Sequence, residues 1–220
     1  MKLIVGNRAY SSWSLRGWLA CKHSGLEFDE LVVPLFGKEW DEARGGDEFA
    51  AGDNKVPILW DGDIVVWDSL AIIEFLADRV GRHRFWPEDE GARAMARSMA
   101  AEMHSSFPNV RRELPMNVRR RYQDLDFEQP VRTEIVRILN LWAQARARYG
   151  GDGDYLFGKW CAADIMFAPI VSRFKTYGVP LPPFALAYMD AVLHRADMVE
   201  WMEMAQDEPW VIDDYEQGNA

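Results

Sequence analysis

The sequence predicts an α/β domain with a small mixed sheet, followed by an all-α domain. Over residues 1–79, short apolar runs alternate with helical patterns, and two of these runs flank the sequence DGD at 61–63. An Asp-Gly turn between apolar runs is typical of a β-hairpin. Beyond residue 91 the apolar residues recur at helical spacing, as in the methionines four residues apart from 95 to 103. A polar stretch at 80–91, which carries Pro87, is the expected linker to the all-α domain at 92–220.

In the first domain we expect the order strand, helix, strand, short helix, hairpin, helix. The first helix carries Leu15, Trp18 and Leu19 on one face and should stop at Ser24-Gly25, since glycine commonly ends helices. The order βαβ followed by ββα gives a mixed sheet with helices packed on it. The expected bounds are 3–5, 27–33, 56–60 and 64–67 for the strands, and 14–23, 39–44 and 68 onward for the helices.

The second domain is expected to contain five helices and no strand. Pro108 should kink the first of these helices. Cys161 occupies the position of a helix cap, and Asp164 is placed to reach back to the backbone. The acidic end at 208–220 should be loosely held. The expected helices span 92–110, 128–149, 162–177, 184–195 and 199–206.

Composition excludes several classes of function. The net charge is −10, from 25 basic and 35 acidic side chains, which argues against a nucleic-acid partner. The basic run at 119–121 is expected to be a solvated helix face or loop. No apolar stretch approaches the length of a signal peptide or a membrane span, so no membrane partner is expected. The two cysteines form no spacing motif, which predicts neither disulfides nor a metal site and a cytoplasmic setting.

The segment at 10–16, with the sequence YSSWSLR, directly follows the first apolar run. This layout predicts a strand, a turn and the start of a helix. Free N–H groups at a helix start favour negative charge, and hydroxyls placed there can hold an anion, including a thiolate. A serine at this position can equally serve only as the helix cap. Two further segments, Val56-Pro57 before the hairpin and Asp68-Ser69 at a strand-to-helix junction, decide between these interpretations.

The three segments, in this order and in a sheet domain followed by helices, resemble the soluble glutathione transferases. The resemblance covers nearly the whole chain. Its first motif is most similar to the zeta-like, maleylacetoacetate isomerase-like branch, which has Ser-Ser-Cys-Ser where this chain has SSWS at 11–14. The resemblance implies a thioredoxin-like first domain, glutathione as co-substrate, a small electrophile as second substrate and a homodimer.

The same resemblance assigns roles to residues of this chain. Ser11 is implied as the hydroxyl that hydrogen-bonds the glutathione sulfur, with Ser12 and Ser14 as alternatives. A hydroxyl donor at a helix N-terminus lowers the pKa of a thiol from its free value of about 8.5. Pro57 is implied to be cis, which leaves the Val56 backbone to pair with the cysteinyl part of glutathione.

Asp68 is implied to take the α-amino group of glutathione, and Ser69 its γ-glutamyl carboxylate. Both residues can also cap the helix that follows. Three residues of the polar stretch, Lys38, Trp40 and Lys55, fall where the family contacts the glycine end. Of these, Lys55 could pair with the terminal carboxylate.

The electrophile site is expected to form from the helix at 92–110 and the residues after it. If that helix continues, His104, Arg111 and Arg112 fall one to two turns apart. A histidine and arginines over a thiolate would suit a carboxylated or enolic substrate. Alternatively, His104 is an interdomain contact and the arginines face solvent or a dimer partner. Trp13 replaces the cysteine of the family's turn and should narrow the pocket.

We therefore predict a glutathione transferase. One alternative is a glutathione-dependent cis–trans isomerase of maleylacetoacetate-type acids, and another is a non-catalytic glutathione-binding scaffold. A thiol oxidoreductase would need a cysteine at the turn occupied by 11–14, whereas Cys21 falls about two turns into the helix.

Overall fold

The computed structural model describes residues 1–216. A four-stranded sheet lies in the N-terminal part, with the strand order β2-β1-β3-β4. The pair β1/β2 is parallel, and the pairs β1/β3 and β3/β4 are antiparallel. The predicted mixed sheet and hairpin are therefore confirmed. The strands are β1 (Lys2–Val5), β2 (Asp29–Val32), β3 (Ile58–Asp61) and β4 (Ile64–Val66).

Strand β1 lies at the centre of the sheet, and both of its faces are covered. Leu3 and Val5 belong to the main hydrophobic core, whereas Ile4 packs into a second, smaller core on the opposite face. This explains why the strand is a continuous apolar run rather than an alternating one. Helices α1 (Ser12–Ser24) and α4 (Ser69–Val80) pack together on the main-core side. Two short helices, α2 (Lys38–Ala43) and α3 (Asp47–Ala50), contribute aromatic side chains to the smaller core.

After β4, residues 67–216 form helices and loops, with isolated bridges at 155–159. Helix α9 is buried along almost its whole length and packs against α1, α6 and α10, so it joins the helical part to the sheet part. None of the helices within the described residues is long and apolar enough to cross a membrane. The helices are α5 (Arg82–Phe85), α6 (Glu90–Ser105), α7 (Pro108–Glu113), α8 (Gln129–Ala145), α9 (Ala162–Thr176), α10 (Pro183–Leu193) and α11 (Ala196–Asp207), with a π-helical turn at Arg146–Gly150 and a 3₁₀ turn at Asp213–Tyr215.

The cap predicted for α9 is present. Asp164 is fully buried, and its carboxylate accepts the backbone N–H of Cys161 at 2.9 Å and that of Leu156 at 3.1 Å. One carboxylate thus satisfies the N-cap residue and ties the preceding loop to the helix. Helix α9, which begins at this cap, contains Arg173, a residue of the candidate site.

A single helix over 92–110 was expected, and this prediction is wrong. Helix α6 ends at Ser105, and α7 begins at Pro108. Phe107 between them has φ 64° and ψ 48°, a left-handed conformation that breaks the helix. Proline has no N–H to donate and disfavours the α conformation in the residue before it, which explains the break. Consequently His104 and Arg111 lie on different helices.

The linker and the C-terminal end are both more tightly packed than their composition indicates. The polar stretch at 80–91 contains α5, and its side chains Phe85 and Trp86 are buried. The end of the chain was expected to be loosely held, but the Glu208 carboxylate accepts the backbone N–H groups of Arg8 and Ala9. That expectation is therefore wrong for 208–216, while 217–220 lie outside the described residues. The domain boundary at residue 79 stays a prediction.

Arg119 was expected to be solvated with its neighbours, and this is also wrong. Its guanidinium donates to three backbone carbonyls that follow α11 or lie at its end. A cation at a helix C-terminus satisfies carbonyls that lack intrahelical partners. Arg119 therefore fastens the end of the chain to the loop before α8, with Ala205, Glu208 and Trp210 as the acceptor residues.

Candidate functional site

Two adjoining cavities lie where the start of α1, the turn before β3 and the start of α4 meet. The larger has a volume of about 390 Å³ and the smaller about 240 Å³. Ser11, Trp13 and Leu35 border both cavities, so the two form one branched cleft. The larger cavity is completed by Phe36, Trp40, Asn54, Lys55, Val56, Pro57 and Asp68, and the smaller by Tyr10, Ser12, Arg111, Pro115, Met116, Arg173 and Tyr215.

The three serines at the start of α1 occupy three different environments. Ser11 is the N-cap, and its Oγ accepts the backbone N–H of Ser14 at 3.3 Å. Ser12 faces the smaller cavity, and its Oγ accepts a hydrogen bond from Arg173 at 3.1 Å. Ser14 is fully buried behind Ser11, 2.8 Å from its hydroxyl oxygen, and borders neither cavity. Only Ser11 and Ser12 are therefore placed to touch a ligand.

The turn before β3 forms the floor of the larger cavity. The Val56-Pro57 peptide bond is cis, as predicted. Helix α1 approaches this turn closely at Gly17, where an added Cβ would lie 2.9 Å from the Pro57 ring. Glycine is the residue that permits this approach, and it keeps the start of α1 next to the Val56 backbone.

Asp68 and Ser69 begin α4 at the other end of the larger cavity. One oxygen of Asp68 accepts the backbone N–H groups of Leu70 and Ala71 at 2.9 and 3.3 Å, as a helix cap does. The other oxygen lies 3.0 Å from Nε2 of His104. Ser69 is fully buried, and its hydroxyl has no hydrogen-bond partner within residues 1–216. A buried hydroxyl without a partner at a helix N-terminus is suited to an incoming anion.

Trp13 is surrounded by cationic and polar side chains from both parts of the chain. Its ring and that of His104 form a T-shaped pair, with ring centroids 5.3 Å apart. The guanidinium groups of Arg16 and Arg111 lie 4.9 and 5.2 Å from the ring centroid, which is cation–π distance. His104 and Arg111 thus do come together, but around Trp13 rather than along one helix. Arg112 points elsewhere, is largely exposed and bonds Glu113.

Two buried arginines were not singled out from the sequence. Arg16 and Arg173 are buried, and neither forms an ion pair within the described residues. Burial, together with the positive charge of Arg111, lowers the pKa of Arg173 to about 10. Burial likewise holds the pKa of Arg16 well below its usual range. With Arg111 these groups make the cleft electropositive, and nothing local in the sequence distinguishes them from surface arginines.

The end of the chain closes the smaller cavity. Tyr215 packs edge-on against Tyr10, with ring centroids 5.8 Å apart. The Tyr10 hydroxyl donates to the Glu216 carboxylate at 2.5 Å, and burial together with this bond raises the pKa of Tyr10 to about 12. Tyr10 is therefore held as a neutral donor to Glu216 rather than as a base facing the cleft.

The lysines predicted at the site lie at its margin. Lys55 borders the larger cavity, is largely exposed and pairs with Asp53 at 2.8 Å. Lys38 is 87% exposed, pairs with Glu42 and borders neither cavity. Trp40 is buried and does border the larger cavity. The structure thus brings Lys55 and Trp40 to the cleft and leaves Lys38 outside it.

Neither cysteine has the environment of a reactive thiol. Cys21 and Cys161 are both buried, and burial raises the pKa of each thiol above its ordinary value. A thiolate is the nucleophilic form, so burial suppresses disulfide exchange at both positions. The burial of both thiols therefore supports the sequence-based argument against a thiol oxidoreductase.

Comparison with known proteins gives a consistent result. Residues 10–79 match the family model described as glutathione S-transferase, N-terminal domain. The glutathione S-transferase GstB of Escherichia coli K12 is 23% identical over 193 residues, which is 84% of this chain and 88% of the relative.

Solved structures of similar fold cover almost the whole chain. A glutathione transferase homologue from Burkholderia, with bound glutathione, has a TM-score of 0.69 at 22% identity and covers 94% of this chain and 97% of its own. A maleylacetoacetate isomerase from Methylobacterium extorquens AM1, with bound malonate and glutathione, has a TM-score of 0.65 at 22% identity, with coverages of 94% and 98%. At these identities the likeness shows the fold, a thioredoxin-like domain followed by helices.

Proposed function

We propose that this chain is a glutathione transferase that binds glutathione in the larger cavity and activates its thiol for attack on a small electrophile. The match of residues 10–79 to the glutathione S-transferase N-terminal domain supports this proposal. The observation that carries the proposal is that two helix N-termini, those of α1 and α4, meet at one cavity, which their N-cap residues Ser11 and Asp68 both border. Glutathione has a thiol in the middle and a carboxylate at each end, and its thiol and one of its carboxylates match this pair of anion sites.

Thiol activation is assigned to the start of α1. Ser11 borders both cavities, so a sulfur beside it would face the electrophile as well. The hydroxyl, the helix N-terminus and the nearby guanidinium groups all favour the charged form and lower the pKa of the thiol. We assign the thiol proton to solvent, because the Tyr10 hydroxyl donates to Glu216 and does not face the cleft as a base.

The γ-glutamyl end is assigned to α4. Its carboxylate would accept from the Ser69 hydroxyl, which otherwise has no partner, and its ammonium group would pair with Asp68. The glycine end would lie toward Lys55. The exposed Lys55 side chain pairs with Asp53 and could pair instead with the glycine carboxylate of the ligand. Trp40 would form the wall of this end of the cavity.

The second substrate is assigned to the smaller cavity. Arg111 and Arg173 line it, and no carboxylate of the described residues pairs with either. This favours an electrophile that carries a carboxylate, since arginine binds carboxylates through charge-assisted hydrogen bonds. Trp13 provides an apolar wall between the two cavities.

Two reactions fit such a substrate. In conjugation, the thiolate forms a C–S bond, the electrophile loses its leaving group or gains a proton, and the adduct departs. In isomerisation, the thiolate adds to a conjugated double bond, the resulting single bond rotates, and the C–S bond breaks to return the thiolate. The second candidate function, an isomerase of a maleylacetoacetate-type acid, is favoured by the arginine-lined cavity. Only conjugation consumes glutathione, so glutathione consumption separates the two.

The binding proposal is tested with the purified full chain on immobilised glutathione, followed by titration of the ultraviolet absorbance of the bound thiolate. We expect retention and a thiolate pKa below that of free glutathione. Retention with an unperturbed thiol pKa would instead favour the non-catalytic binding protein. Screening an aryl halide and a cis-dienoic diacid then separates conjugation from isomerisation, and failure to retain the protein would contradict the proposal as a whole.

Replacing Arg173 with methionine tests the carboxylate site. We expect the KM for the diacid to rise about tenfold or more, since a hydrogen bond to a charged group contributes roughly 1.5–3 kcal/mol. The KM for the uncharged aryl halide in the same variant should change little and serves as the internal control. Arg173→Lys, which keeps the charge, should recover part of the loss. Equal effects on both electrophiles would show that Arg173 acts only in packing.

A homodimer is proposed as well, with the helical part of one copy against the sheet part of the other. Ile64 in the edge strand β4 and Trp67 directly after it are about half exposed, and we take this apolar pair as part of the contact surface. The oligomeric state is measured by sedimentation of the full chain. A cytoplasmic location and a role in detoxification remain proposals of the same kind.

A further inference from the structure

The hydrogen bonds behind Ser11 form a chain that leads from the sheet to the cleft. The backbone N–H of Gly6, at the end of β1, donates to Ser14 Oγ at 2.9 Å. The hydroxyl oxygens of Ser14 and Ser11 are 2.8 Å apart. The backbone N–H of Ser14 reaches Ser11 Oγ at 3.3 Å. Ser14 is fully buried, whereas Ser11 borders both cavities.

Accounting for the two hydroxyl protons decides which serine donates. A hydroxyl carries one proton and two acceptor lone pairs, and its proton rotates to suit its partners. If Ser11 donates to Ser14, then Ser14 accepts from both Ser11 and Gly6, and its own proton is left buried without an acceptor. If Ser14 donates to Ser11, every group behind the cleft is satisfied, and the Ser11 proton is free to point into the cleft. Buried polar groups are rarely left without partners, so an anion in the cleft selects the second arrangement.

We propose that Ser14 is a positioning residue, whose hydroxyl donates to Ser11 Oγ and thereby directs the Ser11 proton at the bound thiolate. This inference rests on the proposed function, since it needs a thiolate next to Ser11. Ser14 was one of the alternatives for direct contact with the sulfur. We assign it this indirect role instead, because Ser14 borders neither cavity.

The arrangement also makes Ser11 a better donor. An oxygen that accepts two hydrogen bonds polarises its own O–H, and consecutive hydrogen bonds strengthen one another. In the proposed arrangement Ser14 fills both acceptor positions of Ser11, one through its hydroxyl, whose oxygen lies 2.8 Å from Ser11 Oγ, and one through its backbone N–H. The hydroxyl proton of Ser11 is then not used by any group behind the cleft, so Ser11 can donate it to the bound thiolate.

The test is the thiolate pKa of glutathione bound to Ser14→Ala, measured by ultraviolet titration. We expect a rise of about half a unit, smaller than that of Ser11→Ala, because one supporting bond of the Ser11 hydroxyl is lost while the hydroxyl itself stays. The matched control is Ser24→Ala at the other end of α1, where the buried hydroxyl donates to the carbonyl of Cys21 at 2.7 Å. This control should leave the thiolate pKa unchanged.

The double variant Ser11→Ala with Ser14→Ala separates positioning from a general structural effect. If Ser14 acts through Ser11, the second substitution adds no further rise of the thiolate pKa to that of Ser11→Ala, since coupled residues are non-additive. A full additional rise would overturn the inference. Where Ser14→Ala does not fold, Ser14→Cys and Ser14→Thr provide the comparison: threonine keeps the hydroxyl donor and should keep the low pKa, whereas cysteine, a weak donor, should raise it.

The outcome for Ser14 is distinguishable from the outcome for the proposed function. An unmodified chain whose bound glutathione has an ordinary thiol pKa contradicts the proposed function itself. A low thiolate pKa that rises in Ser11→Ala but stays unchanged in Ser14→Ala supports the proposed function and overturns the role of Ser14.

Discussion

Replacing Ser11 with alanine is expected to raise the pKa of bound glutathione by about one to two units, because a hydrogen bond to a charged group contributes roughly 1.5–3 kcal/mol and one pKa unit corresponds to about 1.4 kcal/mol. At a pH below both pKa values turnover should fall about tenfold to a hundredfold, in proportion to the lost thiolate, and the fall should shrink as the pH rises. The affinity for glutathione should change little near neutral pH, since the peptide is held at both of its ends. Ultraviolet titration of the bound thiol and steady-state kinetics measure the two effects.

Ser12→Ala is the matched control for this prediction. Ser12 stands one residue further along α1 and is buried to the same extent, but its oxygen is engaged by Arg173. We expect a smaller rise of the thiolate pKa in Ser12→Ala than in Ser11→Ala. If the order of the two effects is reversed, the sulfur contacts Ser12, and the assignment of Ser11 is wrong.

Replacing Asp164 with alanine is expected to lower the free energy of unfolding by about 2–4 kcal/mol, because two buried backbone N–H groups lose their acceptor and each unsatisfied group costs roughly 1–3 kcal/mol. The carboxylate is the cap of α9, and α9 joins the two parts of the chain. Urea denaturation at neutral pH, followed by circular dichroism, measures the loss. A change below about 0.5 kcal/mol, the range of ordinary surface substitutions, would contradict this role.

The pH dependence of stability gives an independent check on Asp164, with Asp164→Asn as the variant that does not titrate. Burial raises the pKa of Asp164 to about 6 from its ordinary value of 3.8. The folded chain therefore binds this proton more tightly than the unfolded chain does. The resulting stabilisation is complete below pH 3.8 and is lost as the pH rises through 6. Relative to Asp164→Asn, the natural chain should lose stability over this window, on the order of 2–3 kcal/mol. If the free energy of unfolding has the same pH dependence in both chains, the pKa of Asp164 is not raised and the prediction is wrong.

Local signals predicted much of the fold. The hairpin followed from its Asp-Gly turn, the end of α1 from Gly25, and the starts of α1 and α4 from Ser11 and Asp68, which cap them. Each of these signals acts within four residues of the element that it begins or ends. Helix α6 was predicted too long because periodicity alone does not reveal the left-handed conformation of Phe107.

Less of the candidate site could be predicted. The serines of α1 and the residues at 56–57 and 68–69 were identified, since each belongs to a turn or a helix start. Arg16 and Arg173 were not, because a buried arginine has the same local sequence signature as an exposed one. The hydrogen bond from Tyr10 to Glu216 was not predicted either, since an acidic end usually indicates a solvated segment.

The sequence by itself determined the order of strands and helices, the two helix starts at the cleft and the caps that begin them, because these depend on neighbouring residues. Only the tertiary structure decided which side chains share the cleft. Arg173 reaches Ser12 across 161 residues of chain, and His104 pairs with Asp68 although the two belong to different parts of the fold. Such contacts follow from how α9 and α6 pack against the sheet domain, and packing depends on the shape and volume of many side chains at once.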